Sequence, residues 1–182
     1  MKERELIAEC IKGKNSARKM LYERYSQQMM GLCFRYTGNK EIAEDLLHEG
    51  FIKIFMSINS FEYRGDGSLM AWIQRIFSNL CCEYLRKNEN RFKQIDIDGF
   101  EIAEETIDQE TYPAISEDQL LLFISELPIN YRTVFNLYVF DNLTHKEIAQ
   151  QTGISDVNSR SRFLRARALL MNKINEYVKK NE

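Results

Sequence analysis

Proline and glycine are scarce in this chain, with two of the first and eight of the second in 182 residues. With so few breakers, long stretches can run as helix, and apolar residues recur at helical spacing while almost none alternate. The sequence therefore predicts an all-α protein. No apolar run approaches the roughly 20 residues a helix needs to cross a bilayer, so membrane insertion is not expected. The opening Met1-Lys2-Glu3-Arg4-Glu5 is too polar and acidic for a secretory signal, and a cytoplasmic location is expected. Cysteine is sparse too. Cys10, Cys33, Cys81 and Cys82 form no CxxC pair, and three of the four sit in apolar helical contexts. Buried thiols are expected there rather than disulfides or metal ligands. His48 and His145 are isolated in the sequence, so neither a metal site nor a cofactor is expected. No nucleophile–base pair or phosphate loop stands out, and the chain is not read as an enzyme.

What the chain does have is charge, unevenly placed. The formal net charge is −2, which looks wrong for a nucleic-acid binder. Residues 1–87 carry 14 Lys/Arg against 11 Asp/Glu, and residues 119–182 carry 9 against 6. Residues 88–118 carry 2 against 10. Two mildly basic blocks thus flank one strongly acidic segment, and this asymmetry says more than the total. The acidic segment holds Pro113 and lacks a sustained helical pattern, so it reads as a flexible linker. A plain solvated tether and a nucleic-acid mimic are both open for it on composition.

The C-terminal block contains a helix-turn-helix pattern. Thr144-His145-Lys146-Glu147 fits a capping box and opens a short helix with Ile148 and Ala149. Thr152-Gly153 breaks it, and Ser155 can cap a second helix bearing Arg160, Arg162, Arg165 and Arg167. At about 100° per residue, Phe163, Ala166, Leu170, Ile174 and Tyr177 share one stripe. Arg160, Ser161, Leu164 and Arg165 fall on the roughly opposite arc, with Arg167 nearer the stripe. Four arginines on an amphipathic helix often do no more than solvate it. A capped helix and glycine turn in front of them favour a recognition helix for duplex DNA.

The N-terminal block reads as four helices. The first carries Leu6, Ile7, Cys10 and Ile11. The second, about 16–36, points Met20, Leu21, Tyr25, Met29, Leu32, Cys33 and Tyr36 inward. Asn39 can cap a third, about 40–57, which buries Ile42 or Ala43, Leu46, Leu47, Ile54 and Phe55. Its other face shows Asp45, His48, Glu49 and Ile52. A loop from Phe61 to Leu69 holds Arg64. The last helix, about 70–86, turns Trp72, Ile73, Ile76, Phe77 and Leu80 inward and leaves Arg75, Asn79, Arg86 and Lys87 on exposed arcs.

Here a family resemblance becomes specific. Ala43-Glu44-Asp45-Leu46-Leu47-His48-Glu49-Gly50-Phe51 is similar to the AED-x-x-Q-E-x-F signature of bacterial sigma factors. Ala71-Trp72-Ile73-Gln74-Arg75-Ile76-Phe77-Ser78-Asn79 resembles the AW-L-x-R-I-A-x-N of the extracytoplasmic-function (ECF) group. Leu127-Pro128, Tyr131-Arg132-Thr133-Val134-Phe135, Glu147-Ile148-Ala149 and Arg165-Ala166-Arg167 resemble that group's C-terminal motifs, in the same order. His48 stands where Gln is usual, and Val157-Asn158 where Gly-Thr is common.

The resemblance implies a two-domain sigma factor. Residues 1–87 would be region 2, binding core RNA polymerase through Asp45, His48, Glu49 and Ile52. The same region would bind the −10 element through Arg64, Arg75 and Asn79. Residues 88–116 would be the acidic linker, now favoured as a nucleic-acid mimic. Residues 117–182 would be region 4, reading the −35 element through Arg160, Ser161, Leu164 and Arg165. Partners would be core polymerase and promoter DNA, and the family often adds an anti-sigma factor. The alternatives are a stand-alone helix-turn-helix regulator, which leaves the N-terminal motifs without a task, and a helical adaptor that binds only protein.

Overall fold

The computed structural model describes residues 1–88 and 115–181, so residues 89–114 of the expected linker lie outside the described residues. Eight α-helices occur among the described residues, with no strand. They divide into two compact units at about residue 86.

The N-terminal unit holds α1 (Glu3–Ile11), α2 (Asn15–Thr37), α3 (Lys40–Ser57), a single 3-10 turn (Ile58–Ser60) and α4 (Ser68–Lys87). The antiparallel pair α2 and α3 forms its spine. Asn39 caps α3, its Oδ1 accepting from Ile42 N at 3.0 Å. Leu6, Ile7 and Cys10 of α1, Leu21, Tyr25, Met29, Leu32, Cys33 and Tyr36 of α2, and Leu46, Leu47 and Ile54 of α3 are all buried. Ala43 is fully buried while Ile42 is half-buried, which resolves that pair. Two expected core residues are instead exposed: Ile11 and Met20. Ala17, Leu21 and Tyr25 occupy the buried side of α2, and Met20 sits about 100° from Leu21 on the flank. Ile11 lies in the last turn of α1, past the buried Leu6, Ile7 and Cys10. Phe55 is half-buried, with the Arg18 guanidinium over its ring at 5.7 Å.

Helix α4 begins two residues before the sequence pattern placed it. The first turn of a helix leaves backbone N–H groups without intrahelical acceptors. Here Glu3, at the start of α1, supplies them: its carboxylate accepts from Leu69 N at 3.2 Å and Gly67 N at 3.4 Å. The helix can therefore start at Ser68, with Leu69 fully buried rather than in the loop.

Where α3 meets α4, Gly50 faces the ring of Phe77, which also stacks edge-on against Phe51 at 5.6 Å. A Cβ at Gly50 would fall inside the Phe77 ring's van der Waals envelope. Both residues are buried, so the ring has no free volume to move into.

The C-terminal unit holds α5 (Glu117–Ser125), α6 (Ile129–Val139), α7 (His145–Thr152) and α8 (Asp156–Asn181). Phe123, Ile124, Leu127, Tyr131, Phe135, Ala166, Leu170 and Ile174 form its core. Arg132 is buried within it and its Nη1 donates to the Ser125 carbonyl at the end of α5. Burial pushes the guanidinium down to about 10, which still leaves it charged at neutral pH. Arg132 thus satisfies a carbonyl that the end of α5 would otherwise leave without a donor.

Gly50→Ala should destabilise the N-terminal unit by about 1–3 kcal/mol, the usual cost of overpacking a filled core. Urea unfolding checks this. An unchanged midpoint would mean that Phe77 moves aside freely.

Candidate nucleic-acid and polymerase interface

Helix α7 is built locally. Thr144 Oγ1 accepts from Glu147 N at 3.3 Å, and Glu147 Oε2 accepts from Thr144 N at 2.8 Å, completing the capping box. Gly153, at φ 76°, ends α7 with its N–H on the Ala149 carbonyl at 2.9 Å, a left-handed conformation that a side chain resists. Ser155 Oγ then accepts from Asn158 N at 3.1 Å and starts α8. Short helix, glycine turn and long second helix stand as the sequence predicted, and α6 and α7 both pack on α8.

Packing fixes the azimuth of α8. Ala166, Leu170 and Ile174 are buried, Phe163 is half-buried, and Tyr177 is exposed, though its ring meets Phe123 edge-on at 5.6 Å. On the far arc, Arg160 and Leu164 are exposed and Ser161 is half-buried. Leu164 keeps 49 % of its surface in water. Arg160 pairs with Asp156 one turn earlier at 3.2 Å. Arg165 is placed differently from the rest of the arc. It is half-buried, and its Nη1 donates to the Tyr131 hydroxyl at 3.3 Å, so α6 holds its guanidinium. Arg167, placed by angle near the stripe, is exposed.

His145 is not isolated in space. Its Nδ1 lies 2.9 Å from the buried Ser159 hydroxyl of α8. Its ring stacks on Tyr138 of α6 at 4.6 Å, and Tyr138 in turn meets Phe163 at 4.4 Å. This cluster ties α6, α7 and α8 together at the turn. The sequence held no signal for it beyond the aromatic residues themselves, since the pairing bridges 14 positions.

In the N-terminal unit, Asp45, His48, Glu49 and Ile52 lie along one exposed face of α3. Ile52 is 58 % exposed, and Met56, one turn further and not singled out by sequence, is 79 % exposed. Glu49 pairs with Lys53 at 3.1 Å. The face combines carboxylates with two bare aliphatic side chains.

The loop before α4 is internally bonded. Tyr63 donates to Asp66 at 2.6 Å, Arg64 N donates to Ser68 Oγ at 3.2 Å, and the exposed Arg64 side chain pairs with Glu62 at 3.1 Å. Trp72 is half-buried and tilts against Phe61 at 5.0 Å, closing the base of the loop. Arg75 and Asn79 are exposed one turn apart on α4.

Cys10, Cys33 and Cys81 are buried and Cys82 half-buried. Among the described residues no group of three or more His, Cys, Asp or Glu is placed to hold a metal, and no helix is long and apolar enough to cross a membrane.

Comparison with known proteins decides the family. Sigma-70 region 2 matches residues 21–91, and Sigma-70 region 4 matches residues 117–170. An ECF RNA polymerase sigma-E factor of Haemophilus influenzae is 30 % identical over 179 residues, covering 93 % of each chain. The chain belongs to the ECF RNA polymerase sigma factors. A further ECF sigma factor, SigM of Bacillus subtilis, is 27 % identical over 150 residues, 82 % of this chain and 90 % of that one. In fold, this sigma factor is similar to the sigma factor RpoE of Bartonella quintana, solved with the anti-sigma factor NepR. The TM-score there is 0.51 at 21 % identity, covering 87 % of this chain and 96 % of that one. As a sigma factor it binds core RNA polymerase and directs promoter recognition and transcription initiation. The match to region 2 is what a stand-alone helix-turn-helix regulator would lack.

Burial and the neighbouring Arg160 hold the His145 imidazole below its ordinary value of 6.5, with Asp156 opposing. The folded chain then binds that proton less readily than the unfolded chain. The stability tied to neutral His145 is full above the unfolded value and is lost as the pH falls below it. Thermal melting of the full chain should therefore drop between about pH 7.5 and 5.5 more than in a His145→Asn variant, which offers Ser159 a partner but does not titrate. Equal pH slopes in the two proteins would remove His145 as the source.

Proposed function

We propose that the two units divide promoter recognition between them. Residues 1–87 bind core polymerase and the −10 element, residues 117–182 read the −35 duplex, and residues 88–116 connect them as an acidic mimic of nucleic acid. The observation that carries this is the outward arc of α8, with Arg160 and Leu164 exposed and Ser161 half-buried, opposite a buried stripe and directly after a glycine turn. Arg165 contributes from its tether on Tyr131, which fixes its direction before DNA arrives. The protein is not an enzyme by itself and acts in the cytoplasm. An anti-sigma factor is a fitting regulator, since the similar RpoE of Bartonella quintana was solved with the anti-sigma factor NepR.

On the polymerase side, Asp45, His48, Glu49 and Ile52 meet a basic partner surface, where carboxylates steer and an aliphatic side chain is covered. The pair of Glu49 with Lys53 is solvent-exposed and worth at most about 1 kcal/mol, so Glu49 can exchange it for a polymerase cation. Glu49→Lys should abolish core binding in a pull-down and leave the circular dichroism spectrum unchanged. A mutant that binds core normally would detach this face from the polymerase.

On the −10 side, Arg64 and Arg75 hold the strand and Asn79 contacts a base edge. Asn79→Ala should cost about 1–3 kcal/mol of discrimination at one −10 position while core binding persists. The readout is open-complex formation on promoters with single −10 substitutions. An unaltered base preference would make Asn79 a packing amide.

A further inference from the structure

We propose that Val157 is a base-reading residue of the recognition helix, covering the C5-methyl of one thymine in the −35 duplex. This rests on α8 being the helix that faces DNA, and goes beyond it in naming a residue and a base. Val157 is the second residue of α8 and is 73 % exposed. By helical angle it falls in the middle of the arc set by Arg160, Ser161 and Leu164, at about 60° where those three stand at about 0°, 100° and 40°. The buried stripe of Ala166, Leu170 and Ile174 centres far from it. Local stability does not account for a valine here. A β-branched side chain at an exposed helix position has lower helix propensity than alanine and leaves apolar surface in water. The sequence also carries this isopropyl group where the family pattern commonly has glycine.

Position makes the side chain a reader. In helix-turn-helix proteins the first residues of the second helix approach base edges, while phosphate contacts fix the register. Arg160, held by Asp156, sits one turn beyond Val157 and supplies the positive charge. In the major groove an aliphatic group has one matching apolar feature, the thymine methyl. Leu164, on the same arc and also exposed, is the only other large aliphatic side chain exposed on α8 among the described residues.

The test uses the full chain with core RNA polymerase. A promoter selected from a library randomised over the upstream element is resynthesised with each thymine of that element replaced in turn by deoxyuridine, which removes only the methyl. Equilibrium binding of the holoenzyme should weaken about fourfold at one thymine, the loss expected from one buried methyl group. Val157→Ala holoenzyme should be indifferent to that replacement, while Leu164→Ala holoenzyme should still feel it. The proposal is overturned if no single replacement weakens the parent protein, or if Val157→Ala remains equally sensitive. In both cases a scrambled upstream element that still abolishes binding leaves the −35 assignment of α8 standing. If scrambling has no effect, that assignment falls and Val157 falls with it.

Discussion

Ala166, Leu170 and Ile174 are withdrawn from water against α5 and α6, and a helix is stiff enough that this burial fixes the direction of every other side chain on α8. Each such side chain contributes on the order of 1.5–3 kcal/mol when fully buried, except the smaller alanine. Rotating α8 by one residue would put Arg167 into the core and Ala166 into solvent. A guanidinium buried there without a partner would cost several kcal/mol. The exposed arc of α8 is therefore a by-product of core packing. The His145–Ser159 bond and the Tyr138 stack then set the angle between α7 and α8 that packing along α8 alone leaves loose.

The N-terminal unit follows the same logic with different parts. Its spine of α2 and α3 leaves one face of α3 uncovered, and Gly50 lets α4 close on the other face through Phe77. Glu3 then holds the first turn of α4 from 66 positions away. That bond couples the start of the chain to the loop carrying Tyr63, Arg64 and Asp66. A charged acceptor on backbone N–H groups is among the stronger hydrogen bonds available, and it also complements the dipole at that helix end.

What the sequence disclosed, and what it hid, divides along this line. The capping box at Thr144, the turn at Gly153 and the cap at Asn39 involve residues within about four positions, so their partners are written beside them. The buried stripe of α8 was equally open to reading, because periodicity is a local property. The Glu3 cap, the His145 contact and the Tyr131 tether of Arg165 join residues 66, 14 and 34 positions apart. No pattern in a single sequence announces such pairs. Angular reasoning put Arg165 on the outward arc, yet a long side chain at the edge of that arc can fold back to a hydroxyl on α6. Met20 and Ile11 failed as core for a related reason: apolar character marks the helix face only to within about one residue in azimuth.

The exposed charges proposed to meet DNA and polymerase are each held by a neighbour on the same stretch of chain. Glu49 is paired with Lys53, Arg160 with Asp156, and Arg64 with Glu62, each within four residues and each exposed. Exposed pairs of this kind contribute at most about 1 kcal/mol because water and salt already screen them. Their value is that they orient a long side chain while costing little to break. On the interface proposed above, a phosphate or a basic partner group would take the place of the local partner in a charge-assisted contact, and the local pair would re-form on release without unfolding anything. Contacts made by buried groups, such as Arg132 on Ser125 and His145 on the buried Ser159, do the opposite work, since breaking either would strand a buried polar group. Strong interactions thus hold the scaffold and weak ones orient the exposed charges, a division suited to the reversible association proposed above.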